Sequence, residues 1–287
     1  MDAEKETAGI PGIDGALAEA LAKIEIPPRP VILDQVMAEM QSEEPNFHKL
    51  AGLIMSDVGL SASIIKTANA PIFGFRTKAA TVREALTMLG LVMVLRTVAA
   101  HAVRQALPAP AMIKDFWETS ARVAQLSGWL ARELGIQFGV RPQDAFTYGL
   151  FHDCGIPVLL KACKDYDKIF TEACEETISS FTDVESTYLG FHHALVGSAM
   201  ARSWYLPDPL CEAIQHHHNL AACGIPPAGQ RMIALTQLAE WLQGQGTALA
   251  DNEWHKTGET ALGVLQITRE EAEGLFQRAH EMLDQFD

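Results

Sequence analysis

From residue 112 to residue 134 apolar positions recur three and four residues apart. Ile113, Phe116, Trp117, Val123, Ala124, Leu130, Ala131 and Leu134 form one stripe, with the small Ser120 and Ser127 in register. That spacing puts them on one face of a helix and predicts a helix over 112–134. The same period runs through 85–103, where Arg96 and His101 interrupt the apolar run and argue for a buried helix that falls short of a membrane span. It returns near the end, where Thr268-Arg269-Glu270-Glu271 has the form of a capping box ahead of Ala272, Leu275, Phe276, Ala279, Met282 and Leu283. No segment alternates apolar and polar residues as a half-buried strand would. The pattern predicts an all-α fold.

Proline and glycine punctuate the stripes. Ile26-Pro27-Pro28-Arg29-Pro30 opens a helix that runs to about Gln41. Asn46 and Thr81 are placed to cap the helices that follow them, and Asp57-Val58-Gly59 separates two others. Gly90 ends or kinks the helix from Val82. Pro108-Ala109-Pro110 marks a boundary between two helical lobes. The expected organisation is an N-terminal extension, partly helical, over 1–25, a first lobe over 26–107, a second over 108–246, and a helical extension over 247–287 that covers the second lobe.

Of 287 residues, 48% are hydrophobic and 20% charged, which suits a globular protein with a substantial core. The net charge of −14 argues against binding nucleic acid or an anionic membrane unless cations gather locally. Lys and Arg are scattered along the sequence, and Arg76-Thr77-Lys78 is the nearest approach to a cluster. The five cysteines (Cys154, Cys163, Cys174, Cys211, Cys223) form no Cys-x-x-Cys pair and read as reduced thiols. The acidic start, Met1-Asp2-Ala3-Glu4-Lys5-Glu6, has no signal-peptide character, and the expected location is the cytoplasm.

Candidate chemistry centres on histidine. His152-Asp153 follows Ala145, Phe146, Tyr148, Leu150 and Phe151, on what reads as a largely buried helix. A buried carboxylate requires a partner: a metal, the adjacent imidazole or a helix N-terminus. His192-His193 opens a segment of small residues, where His193 either faces a groove or serves as a cap or core side chain. His216-His217-His218 ends a helix that starts after Pro207, a position the helix dipole favours for histidine with no ligand involved. Glu240, alone on an apolar helix, is either a ligand or an exposed edge.

Taken in order, these pieces resemble the HDOD family, relatives of the HD-domain and HD-GYP phosphohydrolases. The likeness extends from about Ile26 to Leu242. It rests on Ile26-Pro27-Pro28-Arg29-Pro30, Ser56-Asp57-Val58-Gly59, Asn69-Ala70-Pro71-Ile72-Phe73-Gly74, Leu86-Thr87-Met88-Leu89-Gly90, Phe116-Trp117-Glu118-Thr119-Ser120, Gly149-Leu150-Phe151-His152-Asp153-Cys154-Gly155, His193-Ala194-Leu195-Val196-Gly197 and Gln215-His216-His217-His218. The resemblance implies a two-lobed helical fold with a second lobe similar to an HD domain.

It also implies a candidate metal set of His152, Asp153, His193, His217 and Glu240, for manganese, iron, zinc or magnesium. The set is incomplete. Thr119 stands where active enzymes carry their first histidine, Glu240 stands for the final aspartate, and Ile156 stands for a lysine that often follows the His-Asp pair. The loop of the HD-GYP enzymes is missing from Asn219-Leu220-Ala221-Ala222-Cys223-Gly224-Ile225-Pro226, which argues against cyclic di-GMP hydrolysis. The expected function is therefore a non-catalytic bacterial signal-transduction module that acts on signalling proteins. A metal-dependent phosphohydrolase built on His152 and Asp153, and a metal or nucleotide sensor with a phosphoester ligand, are the alternatives.

Overall fold

The computed structural model describes residues 24, 26–109, 111–135, 139–220, 224–244 and 247–284, with Ala248 and Leu249 described in backbone only. Apart from Ile24, the expected N-terminal extension lies outside the described residues, as do Pro110 and Cys223. Within them every regular element is helical, as the apolar periodicity predicts. The first part contains α1 (Val31–Met40), α2 (Phe47–Met55), α3 (Val58–Ala68) and the long α4 (Val82–Ala106). Next come α5 (Phe116–Glu133), α6 (Pro142–Phe151), α7 (Gly155–Ala162), α8 (Tyr166–Glu175) and α9 (Phe181–Leu189). The chain continues through α10 (His193–Ser203), α11 (Asp208–Gln215), α12 (Pro227–Gly244), α13 (Ala248–Leu265), α14 (Arg269–Gly274) and α15 (Phe276–Asp284).

Helix starts follow local chemistry. The Asn46 side chain accepts from Lys49 N at 3.0 Å, and Asp57 accepts from Leu60 N at 2.9 Å, so each satisfies an orphan N–H of the first turn. Asp57 thus opens α3 at Val58, so Val58 and Gly59, read as part of the separator, belong to the helix. Thr81 with Glu84, and Thr268 with Glu271, form reciprocal capping boxes. Gly90 has φ 71°, a left-handed conformation open to glycine, and kinks α4 without ending it.

Three expectations need correction. The stripe from residue 112 is not one helix: Ala111–Ile113 is a 3₁₀ turn and α5 begins at Phe116, where Trp117 Nε1 donates to Leu107 O at 2.8 Å and fixes the entry. The last stripe is broken in two, because Leu275 N bonds back to Ala272 O, a tight three-residue closure that re-aims α15. Finally, α4 is long and apolar enough to cross a membrane, with mean hydropathy 1.8 over its best window, despite Arg96 and His101. Its apolar face is nevertheless buried against α1, α2 and α3.

A contiguous apolar core runs from Ile24 to Leu283, and α6 lies at its centre against α5, α11 and α12. Two close backbone approaches shape this region. At Gly149 an added Cβ would lie 3.0 Å from Ala124 Cα, so α6 sits tight on α5. At Gly155 it would lie 2.0 Å from His193 O, so α7 and α10 cross with their backbones in contact. These crossings bring the ends of α6 and α11 and the start of α10 together.

Candidate metal centre

His152 is the C-cap of α6, and Asp153 follows in the turn before α7. The pair stands at a helix end and not along a helix as the sequence pattern implied. Chain reversal at Asp153 turns its carboxylate toward two other helix ends: His193, the first residue of α10, and His217, just past α11. Glu240 reaches in from α12.

Each ring is oriented by its Nδ1. His152 Nδ1 lies 2.9 Å from Gly149 O, His217 Nδ1 2.8 Å from Ile214 O, and His193 Nδ1 2.7 Å from Glu185 Oε2. Those partners are acceptors, so each Nδ1 carries the hydrogen and each Nε2 turns inward. The inward atoms converge. His217 Nε2 is 3.1 Å and His193 Nε2 3.4 Å from Asp153 Oδ1; His152 Nε2 is 3.2 Å from Asp153 Oδ2 and 2.9 Å from Glu240 Oε1. His193 and His217 face each other Nε2 to Nε2 at 3.2 Å. Three imidazole lone pairs and two carboxylates meet with no hydrogen-bond donor of their own. Such a set requires protons or a cation.

The ionisation of the groups follows from this crowding. Burial opposes charge on His152, yet Asp153 and Glu240 outweigh it and hold its pKa well above the ordinary value. Burial likewise opposes charge on His193, and Glu185 with Asp153 lifts it to about 10. His217 goes the other way: burial and the neighbouring His218 push it down to about 3. Asp153 is pulled well below the carboxylate range, against burial, by His152 first and then by the other two rings.

Two overlapping groups of ligand atoms lie within 4.8 Å of one another: Asp153 with His193, His217 and His218, and His152 with Asp153 and Glu240. Asp153 belongs to both. Imidazole nitrogen with carboxylate oxygen is a donor set that zinc, iron and manganese accept, so the residues present fit a divalent metal.

All five candidate residues therefore stand together, and the structure adds others. His218 lines the same cleft, with Nδ1 3.1 Å from Glu253 Oε2 and its ring stacked on Phe181, while His216 faces a different surface pocket. Glu253 and Trp254 come from α13, so the segment expected only to cover the second lobe forms part of the cleft wall. Glu185, 0% exposed, accepts from His193 N at 3.0 Å and from the Tyr166 hydroxyl as well as holding His193 Nδ1. One signal pointed to it: Phe181, Val184 and Glu185 share the apolar face of α9, where a carboxylate is out of place.

Glu185→Leu strands the His193 and Tyr166 donors in the core. It is expected to cost about 3–5 kcal/mol in urea denaturation, with Glu185→Gln retaining part of that. A loss under about 1 kcal/mol would remove Glu185 from this role.

The cleft above the cluster has about 510 Å³ of room. Thr119 lies in its wall, as does Ile156. Lys114 is the one lysine or arginine among the lining residues, against Asp115, Asp153, Glu240 and Glu253.

Residues 26–220 match the HDOD domain model. An uncharacterized protein of Treponema pallidum (strain Nichols) is 26% identical over 210 residues, 68% of this chain, and the chain spans only 38% of that protein's length. Among solved structures, a candidate phosphohydrolase from Shewanella amazonensis SB2B superposes with TM-score 0.66 at 21% identity, over 93% of this chain and 98% of that one. An HDOD domain protein with unknown function from Geobacter sulfurreducens gives 0.58 at 20%, over 92% and 94%. A candidate signal transduction protein from Marinobacter aquaeolei VT8 gives 0.66 at 23%, over 92% of this chain and 58% of that one. At these identities the likeness is one of fold. Gln237, Glu240 and Glu253 lie beyond the matched residues.

Proposed function

The chain belongs to the HDOD domain family, and from that premise we propose that it is a regulatory signal-transduction domain whose phosphohydrolase-like scaffold holds one divalent metal ion without turning over phosphoesters. The observation that carries this reading is the convergence of His152, His193 and His217 Nε2 and Glu240 on Asp153. The nitrogen-rich group around His193 and His217 suits zinc or iron; the group with Glu240 suits manganese better than the first does. Magnesium, which prefers oxygen ligands, fits least well.

Two features argue against turnover. Thr119 offers a neutral hydroxyl where a fourth imidazole would complete the set, and a hydroxyl is a poor ligand for these ions. The cleft wall offers a single lysine, Lys114, and no arginine to receive a phosphoester anion, and Ile156 in the same wall is apolar. A net charge of −14 on a helical surface suits recognition of a protein partner in a signalling pathway better than recognition of a polyanion.

A second reading, a metal-dependent phosphohydrolase, is favoured by Glu240. It supplies a carboxylate beside His152 and is 37% exposed, so an ion held there would face solvent and could bind a water molecule.

Metal content by mass spectrometry decides the first part of the reading. Protein purified without chelator and incubated with manganese, iron or zinc is expected to carry about one equivalent; none under any condition would overturn the metal centre. A phosphoester screen on the loaded protein decides the second. Wild type is expected to be silent and Thr119→His to gain hydrolysis. Turnover by the wild type would replace this reading with the enzymatic one.

A further inference from the structure

The cations scattered along the sequence are not scattered in space. A second pocket, with about 110 Å³ of room, lies between α3 and α4 on one side and α5 and α6 on the other. Lys66, Arg96 and Arg104 line it, and no aspartate or glutamate does. In a chain of net charge −14 this is a local reversal of sign. His101, also in the wall, is held neutral because burial lowers its pKa, so the arginines and the lysine supply the charge.

Two buried polar groups in this wall lack a partner within the protein. Gln125, 1% exposed on an otherwise apolar turn of α5, has an amide oxygen that makes no hydrogen bond. Arg96 is 5% exposed and directs every hydrogen bond it makes through Nη1, chiefly to Asp144 Oδ1 at 2.6 Å, leaving Nε buried and unpaired. Asp144 is shared with Arg141 at 2.7 Å, so the two arginines keep a net positive charge. Buried amides and guanidinium N–H groups are seldom left unpaired, because each costs the desolvation of a polar group. The edge of Arg96 that remains, Nε with Nη2, is the edge that grips an oxyanion by two parallel hydrogen bonds.

We propose that this pocket is a binding site for a small oxyanion, a phosphate or a carboxylate. Arg96 and Arg104 hold the anionic oxygens, and the Gln125 amide, rotated so that its NH2 and not its acceptor oxygen faces the anion, donates to one of them and fixes orientation. The volume admits inorganic phosphate or a short carboxylic acid and excludes a nucleotide. The site is independent of the metal centre, although Phe151, in its wall, directly precedes His152.

The test is thermal unfolding and isothermal titration of the whole chain with sodium phosphate and, separately, sodium acetate, against sodium chloride at equal ionic strength and with chelator present to keep the metal centre empty. Saturable binding of either anion is expected, and which anion binds identifies the source of the oxyanion. Arg104→Ala, an exposed side chain whose loss leaves the core untouched, is expected to weaken binding about tenfold or more. Gln125→Met, nearly isosteric, is expected to raise the melting temperature without anion and to abolish the anion-dependent shift. The idea fails if neither anion binds by about 10 mM, or if binding persists unchanged in both variants, which would place the anion elsewhere on the surface. A stabilised Gln125→Met protein that still binds with wild-type affinity would leave the amide as a merely structural defect and also overturn the assignment.

Discussion

Asp153→Ala is expected to abolish divalent-metal binding, weakening it by at least about 100-fold. Loss of groups that only orient a ligand already costs 10–100-fold, and Asp153 is the one residue common to both groups of ligand atoms. Its Oδ1 lies 3.1 Å from His217 Nε2 and its Oδ2 3.2 Å from His152 Nε2, so no neighbouring carboxylate can substitute for both oxygens. The side chain is 24% exposed, which leaves the substitution compatible with folding although the buried charge on His152 and His193 loses its counter-ion. Competition with a chromogenic chelator reads the affinity, and circular dichroism reads the fold. His217→Ala is expected to follow Asp153→Ala for zinc and to lose less for manganese. Affinity retained in Asp153→Ala would mean that the metal sits elsewhere.

Gly155→Ala is expected to destabilise the protein by about 3 kcal/mol or more, at the top of the range for overpacking. A Cβ there would lie 2.0 Å from His193 O and 2.8 Å from Gly197 N. Both are backbone atoms of α10, which no rotamer change can move aside. The helix has to retreat, and it carries His193 with it. The variant should therefore lose metal affinity as well as stability, although it touches no ligand side chain. Gly52→Ala is the matching control: its Cβ meets nothing within 4 Å in the middle of α2, and it should stabilise by about 0.5–1 kcal/mol. Urea denaturation of the two variants beside the wild type makes the comparison, and a Gly155→Ala protein as stable as the wild type would refute the crossing.

Some of this was legible residue by residue. Asn46, Thr81 and Thr268 announced helix starts because a capping oxygen satisfies N–H groups three residues away, a purely local matter; Asp57, which read as part of a separator, caps in the same way. The stripe through Trp117 and Leu130 announced a buried face for the same reason of short range. His152, Asp153, His193, His217 and Glu240 were legible as candidates from their types, their order and their apolar company. Glu185 was half-legible: its place on an apolar face was visible, but its tie to His193 spans eight residues and depends on α9 folding back beside α10.

Other features were out of reach. The inward turn of Nε2 in His152 and His217 depends on the carbonyl groups of Gly149 and Ile214, which every residue possesses and no sequence pattern marks. His218 and Glu253 meet across thirty-five positions. Lys66, Arg96 and Arg104 read as scattered cations until α3 and α4 set them around one cavity, and the unpaired amide of Gln125 has no signature in the chain. Local periodicity and capping, acting over three or four residues, determined that this protein is helical and roughly where its helices begin. Long-range packing alone decided which helix ends meet, which imidazole nitrogen faces inward and which charges share a pocket, because those outcomes depend on backbones approaching closely at Gly149 and Gly155 and on the direction in which each buried polar group finds its partner.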